Sequence, residues 1–482
     1  MADEGFFMEK EKNFSEWYNE ILRKAELIDQ RYNIKGFIVH QPNAAITEKI
    51  IYRIYEEELE KKGHLPTRFP ALIPEDNFEI EKKHAEGFKP GVFWVTQGAD
   101  TKFTTKYALR PTSETAMYRM FSFWIRSWKD MPLKVYQSCQ VWRYETKATK
   151  PLIRDREFYW IEAHCAFATK EEAERQVFED METTRKVLYE KLGIPFLFFR
   201  RPEWDKFAGA EYTFGTDTLL SDGYVFQLPS THFLGQRFAK AFNVQFLNKN
   251  DEKEYAWQTC YGPGISRIFA ALISIHGDDR GLVFPFELAP TQVVIIPILG
   301  KENEKVLEKC RELETKLKEK YRVVLDLSEK QPGEKFYYWE TRGTSVRIEI
   351  GAKEVAEDSL TVFRRDLFKK EKIKSSEIEK YLEFVEKDSL EILRKRAEEK
   401  FKSRLFEAKS LEELKEKIKN GGIGRVMFCS VNMDGENCAD ILKAETGGAE
   451  VRGTLLEEEK AEGNCIVCGK PAKYVVYVAK SY

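Results

Sequence analysis

From about Phe93 to Tyr261 one strand-like run follows another with few helices between, and this order constrains the fold more than any other feature of the chain. The runs are Phe93–Gln97, Lys134–Glu145, Glu157–Ala166, Phe196–Arg201, Glu211–Leu220 and Tyr224–Leu228, with helical stretches confined to about 113–128, 170–192 and 235–242. Strands that follow strands pair with their neighbours, so the pattern predicts an α+β fold: a large antiparallel sheet with flanking helices, not a doubly wound parallel one. Ahead of it, Phe14, Trp17, Tyr18, Ile21, Leu22, Ala25 and Ile28 recur at the spacing of one helical face. A second helix begins near Asn43 and stops at Gly63, with Pro66 just beyond.

The pattern changes at Pro290. Val293–Pro297, a helix over about 303–320, Arg322–Leu327, a helix near 334–341 and Val346–Ile350 alternate strand with helix, which predicts a compact α/β domain with a parallel sheet. A charge-dense helical stretch from about Ser375 to Lys419 reads as a solvated connector. After Gly421-Gly422 a small α+β domain closes with the apolar strand Tyr474–Val478. The expected division is 1–289, 290–400 and 401–482, in keeping with a length of 482 residues at roughly 100–200 per domain. Lys and Arg number 78 against 80 Asp and Glu, so a nucleic-acid partner must be held by local patches because no global positive field exists. No run approaches the ~18 apolar residues of a membrane span, and no signal-peptide pattern is present, which reads as a cytoplasmic protein with no membrane partner.

Chemistry concentrates at Arg143-Tyr144-Glu145 and Arg154-Asp155-Arg156-Glu157-Phe158. On two adjacent antiparallel strands these side chains share a sheet face, where guanidiniums suit phosphate, a carboxylate accepts from an exocyclic amine and a ring stacks on a purine. A salt-bridged exposed face is the plainer reading of the same pattern. Gly262-Pro263-Gly264-Ile265-Ser266-Arg267 leads into an apolar helix and places an arginine on its first turn, near the positive end, although a bland turn explains it as well. No Walker-type loop accompanies them.

In order and spacing these pieces resemble the three motifs of class II aminoacyl-tRNA synthetases, with the helix ending at Gly63 and the strand around Pro70 as the first motif. Arg110-Pro111-Thr112-Ser113-Glu114, Lys206–Ala210 and His232–Gln236 resemble the prolyl-tRNA synthetases, class IIa enzymes, of the archaeal and eukaryote-like type. About 100 residues separate Phe158 from Gly262, too few for the large editing insertion of bacterial-type relatives, so no editing domain is expected there.

The resemblance implies ATP-dependent ligation of L-proline to tRNA(Pro) through a prolyl-adenylate, with Mg²⁺, by a homodimer built through the first motif. It implies Arg143 bridging the proline carboxylate and the α-phosphate, Glu145 reading the adenine amine, Phe158 stacking on adenine, Arg154 and Arg267 on the outer phosphates, and Gln227 facing ATP. The proline pocket maps to Thr112 and Glu114, with Glu157, Trp160, His164, Phe207 and His232 as walls and Cys260 near the floor. Sister enzymes for threonine, glycine or histidine, or a non-catalytic relative, are the competing readings. The retained arginines argue against the last, and Thr112-x-Glu114 against threonine.

The 290–400 segment resembles an anticodon-binding domain, which places Glu340, Arg347 and Lys353 toward tRNA; exposed surface charge is the alternative. Arg364, Arg365, Lys369 and Lys370 offer phosphate contacts or a solvated face, and no DNA partner is expected. Of 8 cysteines, Cys429, Cys438, Cys465 and Cys468 cluster. The Cys465-x-x-Cys468 spacing suits zinc, and the wider Cys429–Cys438 pair can complete a tetrahedral structural site; reduced thiols or a disulfide are the other readings. His40, His64, His84 and His276 show no ligand spacing and carry no assigned chemistry. The C-terminal Tyr482 is expected to pack back toward the first domain.

Overall fold

The computed structural model describes residues 6–82, 91–300 and 303–482. Its centre is a seven-stranded sheet in the order Leu65–Pro66, Leu133–Trp142, Glu157–Phe167, Trp257–Gly262, Val225–Gly235, Tyr212–Leu219, Leu197–Arg200. Every pairing is antiparallel except that of the two-residue edge strand with Leu133–Trp142. A three-stranded sheet of Leu72–Pro74, Trp94–Gly98 and Thr101–Leu109 lies apart. His84 falls outside the described residues.

Alternation along each strand divides the core. On one face Tyr261, Ile161 and Ala163 pack with the helices Phe14–Lys24, Pro42–Lys61 and Ile265–His276. The last of these is apolar nearly all round and buried to match. On the other face Cys260, Ala166 and Leu234 pack with Glu114–Trp124 and Arg237–Phe242. The first helix is shorter than its periodicity predicts: it ends at Lys24, Glu26 turns to φ +54°, and Ile28 opens a short strand.

A five-stranded sheet follows, ordered Val323–Leu325, Val293–Pro297, Val346–Ile350, Ser359–Arg364, Lys369–Lys374. Its first three strands are parallel, as expected, but the last two add an antiparallel hairpin that the parallel reading lacked. The charged stretch is not one solvated connector either. Helix Ile378–Ser403 buries Leu382, Val385 and Leu393, and Leu405–Glu407 then starts a four-stranded sheet with Ile423–Phe428, Tyr474–Lys480 and Ala449–Gly453. Tyr482 packs on Tyr224 and Phe226 and donates to Asp222 of the central domain.

Candidate active site

Cross-strand register builds the site. Cys260 stands opposite His164 on one side and His232 on the other, so three neighbouring strands place a thiol and two imidazoles in one row of one face. The two-residue period of Glu157–Phe167 adds Phe158, Trp160 and Glu162 to that face. Glu157 belongs by the same period with Tyr159, Ile161 and Ala163 on the opposite face. It does not line the cavity, which corrects its assignment to the proline wall. The carboxylate that does line it is Glu162, which sequence reasoning missed although its parity with Phe158 marks it.

The cavity measures about 600 Å³. Thr112, Glu114, Arg143, Glu145, Phe158 and Trp160 line it, as do Phe207, Gln227, His232, Cys260 and Arg267. His164 is fully buried beneath the floor, with its Nδ1 2.8 Å from the Tyr118 hydroxyl. Arg143-Tyr144-Glu145 and Arg154-Asp155-Arg156 lie beyond the strand ends Trp142 and Glu157, in the connecting loop and not on the strands where the sequence put them. One ladder bond continues past the end, from Arg143 N–H to the Arg156 carbonyl (2.9 Å), before the chain departs.

At one end of the cavity, carboxylates are satisfied by protein. Glu114 opens a helix, accepts from the Thr112 hydroxyl, and accepts from the Cys260 thiol at 3.6 Å. Burial and the Glu114 carboxylate push the Cys260 thiol well up, so it is no nucleophile. Burial alone would raise the Glu162 carboxyl, but hydrogen bonds from His164, Ser113 and Gln137 hold it below its ordinary value. His232 shares a hydrogen with Thr213 Oγ1 at 2.9 Å and stacks near Phe207, ring centres 4.7 Å apart. Burial, with His164 and Arg201 nearby, lowers it to about 3, which keeps the ring neutral.

Arginines hold the other end. Arg143 lies over Phe158 and Trp160, 5.2 and 5.3 Å from their ring centres, and donates from Nε to the Pro111 carbonyl. Arg267 covers Phe226, and its Nε is buried without a partner. Burial and the neighbouring Arg154 and Arg143 lower it to about 10. Gln227 and Arg267 also face an adjoining space of about 740 Å³, and Arg154 lies there. A Cβ on Gly262 or Gly264 would meet protein at an ordinary 3.7 Å, so nothing in the protein itself demands glycine there.

Away from the cavity, Glu340 and Arg347 are buried and paired at 2.5 Å, with Arg347 also on Glu349 and between the rings of Phe336 and Phe363. Lys353 is exposed. Arg364 is ion-paired with Asp366 and Asp388, and Arg365 is buried on Asp278 across the domain boundary, so neither is available for phosphate, contrary to the sequence reading. The Sγ atoms of Cys429, Cys438, Cys465 and Cys468 all lie within 4.8 Å of one another. Tetrahedral zinc at about 2.3 Å from each thiolate separates sulfurs by about 3.8 Å, so this donor set fits zinc. The wide Cys429–Cys438 interval is taken up by a turn into helix Glu436–Glu445, and the pair stands 3.6 Å apart, too far for a disulfide of about 2.05 Å.

Residues 93–276 match the family described as tRNA synthetase class II core domain (G, H, P, S and T). Residues 292–384 match Anticodon binding domain, and 411–482 match Prolyl-tRNA synthetase, C-terminal. Fold and site thus define a class II aminoacyl-tRNA synthetase. The chain is 56% identical to the proline–tRNA ligase of Thermofilum pendens over 487 residues, covering 100% of each. It is 45% identical to that of Ignicoccus hospitalis, over 98% of this chain and 100% of the relative. The solved prolyl-tRNA synthetase of Giardia lamblia in complex with prolyl-adenylate superposes with a TM-score of 0.94 at 38% identity, covering 99% of this chain and 100% of that one. The chain belongs to the prolyl-tRNA synthetase family.

Proposed function

We propose that the chain joins L-proline to tRNA(Pro) through prolyl-adenylate, consuming ATP and releasing diphosphate and then AMP. The observation that carries this reading is one cavity with hydrogen-bonded carboxylates at one end and half-buried arginines, one with an unpartnered buried Nε, at the other. A small ring ammonium fits the first and a triphosphate the second.

In this reading Thr112 and Glu114 accept the ring ammonium, Phe207, His232 and Trp160 wall the ring, and Cys260, backed by His164, closes the floor. The slot admits alanine and cysteine by size, so discrimination against them is weaker than against larger residues. Arg143 bridges the proline carboxylate and the α-phosphate. Glu145 accepts from the adenine amine, Phe158 stacks on the base, and Gln227, Arg154 and Arg267 steady the outer phosphates of MgATP. The carboxylate oxygen attacks the α-phosphorus in line and diphosphate leaves. Positioning and charge neutralisation supply the catalysis, and no enzyme nucleophile is needed. The terminal ribose hydroxyl of tRNA then attacks the activated carbonyl and AMP leaves. The hydroxyl proton passes to the adenylate's own phosphate, which departs with AMP.

The division at 289/290 and 400/401 separates catalysis, anticodon reading and a C-terminal domain, the second boundary falling inside helix Ile378–Ser403. Glu340, Arg347 and Lys353 read the anticodon, Glu340 and Arg347 exchanging their mutual ion pair for bonds to a base while the two rings hold Arg347 in place. A dimer through the edge strand Leu65–Pro66 is supported by Leu65 and Leu72, which are exposed. Zinc, held by the four cysteines, is structural, because four sulfurs leave no open position; it supplies no reaction chemistry. One zinc per chain by metal analysis, and a fall in Tm after chelation, are the expected results. The compartment in this reading is the cytoplasm.

Charging of tRNA(Pro) with labelled proline, with AMP released one for one, tests the overall reaction. AMP release without aminoacylated tRNA would sink it.

A further inference from the structure

Strand Ala449–Gly453 of the C-terminal sheet brings Arg452 onto Asp217, a fully buried carboxylate of the central strand Tyr212–Leu219. Arg452 donates to it from Nε (2.8 Å) and Nη2 (3.3 Å), and Arg201 from Nη1 (3.0 Å) and Nη2 (2.6 Å). Arg201 also donates to the Arg452 carbonyl (2.8 Å) and to Gln227 Oε1 (3.0 Å), and Gln227 Nε2 donates to Ser230 Oγ (2.7 Å). An unbroken chain of hydrogen bonds therefore runs from the C-terminal domain to the wall of the cavity.

Each guanidinium also has a second carboxylate, Glu450 Oε2 at 3.4 Å from Arg452 Nη1 and Asp205 Oδ2 at 3.9 Å from Arg201 Nε, so the cluster is charge-compensated and holds its members in fixed places. Burial would raise the Asp217 carboxyl, but the two arginines hold it far below its ordinary range, so it stays charged and keeps both of them. Arg452 shares the 740 Å³ space with Arg154 and Arg267, and the buried Arg267 Nε has no partner. The docking is close: Arg200 and Thr454 exchange backbone hydrogen bonds of 2.9 and 3.2 Å. Gly453 takes φ +126°, and a Cβ there would stand 2.0 Å from the Arg200 carbonyl oxygen, while one on Gly215 would stand 2.3 Å from the Arg201 guanidinium.

We propose that Arg452 is a positioning residue for the triphosphate of ATP: by sharing Asp217 with Arg201 it fixes the Gln227 amide at the wall of the cavity. The C-terminal domain thereby becomes part of the nucleotide site and leaves the proline end alone. This rests on the ligase reading above.

ATP–diphosphate exchange with full-length Arg452→Met and Arg452→Lys tests it. Met raises the KM for ATP about tenfold and Lys, which keeps the charge and loses the fork, about threefold, with the KM for proline unchanged within about twofold. A parallel rise in both KM values, a loss of kcat alone, or no change would overturn the proposal, since a packing role predicts no such split. Should the Met variant fail to fold, the Lys variant decides by the same criterion. Wild type without proline-dependent exchange would sink the ligase reading instead, and calorimetric titration of ATP into wild type and Arg452→Lys would still decide the role of Arg452: weaker binding to the variant supports it, equal binding refutes it.

Discussion

At the end of the cavity assigned to proline, Glu114 and Glu162 are hydrogen-bonded by Thr112, Cys260, Ser113 and Gln137, whereas at the phosphate end the half-buried Arg267 has its buried Nε unpaired. The first arrangement is complete without a ligand and selects by shape and by one cationic amine. The second is incomplete and gains most when a polyanion arrives, since buried polar groups are nearly always satisfied. Arg143 sits between them, within reach of the fields of Glu114, Glu145 and Glu162. The contrast teaches that selectivity and driving charge are built from different side chains, so they can be broken separately.

The largest effect is expected from Arg143→Ala, which removes the group common to both ends: exchange falls about 10³-fold or more. A loss under tenfold would mean that the ends are not joined through it. Glu114→Gln sharpens the comparison on one side, raising the KM for proline about 100-fold and that for ATP less than threefold; steady-state kinetics showing equal rises would erase the distinction. Glu340→Ala lies outside both ends. It spares exchange and lowers kcat/KM for tRNA charging about tenfold, and similar losses in both assays would contradict the division of labour.

The smallest effect concerns pH. His232, lowered from 6.5 to about 3 by burial and by His164 and Arg201, stays neutral from pH 5 to 8. A protonated ring there would repel the ammonium, so the KM for proline is expected to be flat over that range. A rise below pH 6.5 that His232→Asn abolishes would show the ring titrating. The same depression is a stability term, fully present above 6.5 and lost as pH falls from 6.5 toward 3.

The antiparallel sheet was legible because strand followed strand, and the arginines because their chemistry depends on residue type and order. Glu157 and Glu162 show where legibility fails: both are carboxylates on one strand, and only counting parity from Phe158 separates the face that holds the cavity. The hairpin strand Lys369–Lys374 was missed because its residues, KKEKIK, carry almost no apolar alternation. Arg143–Glu145 looked like strand because local preference does not report where a ladder ends. The pairing of Arg201 with Arg452 spans 251 positions, and no spacing rule within a sequence reaches across two domains.

The measurement that tests the central claim most directly is ATP–diphosphate exchange without tRNA, run with each of the twenty amino acids. The two-ended cavity predicts that proline leads by orders of magnitude, with alanine and cysteine next. Exchange led by another amino acid would contradict the assignment of Thr112 and Glu114, and exchange that ignores the amino acid would contradict the cavity as a site of adenylate formation.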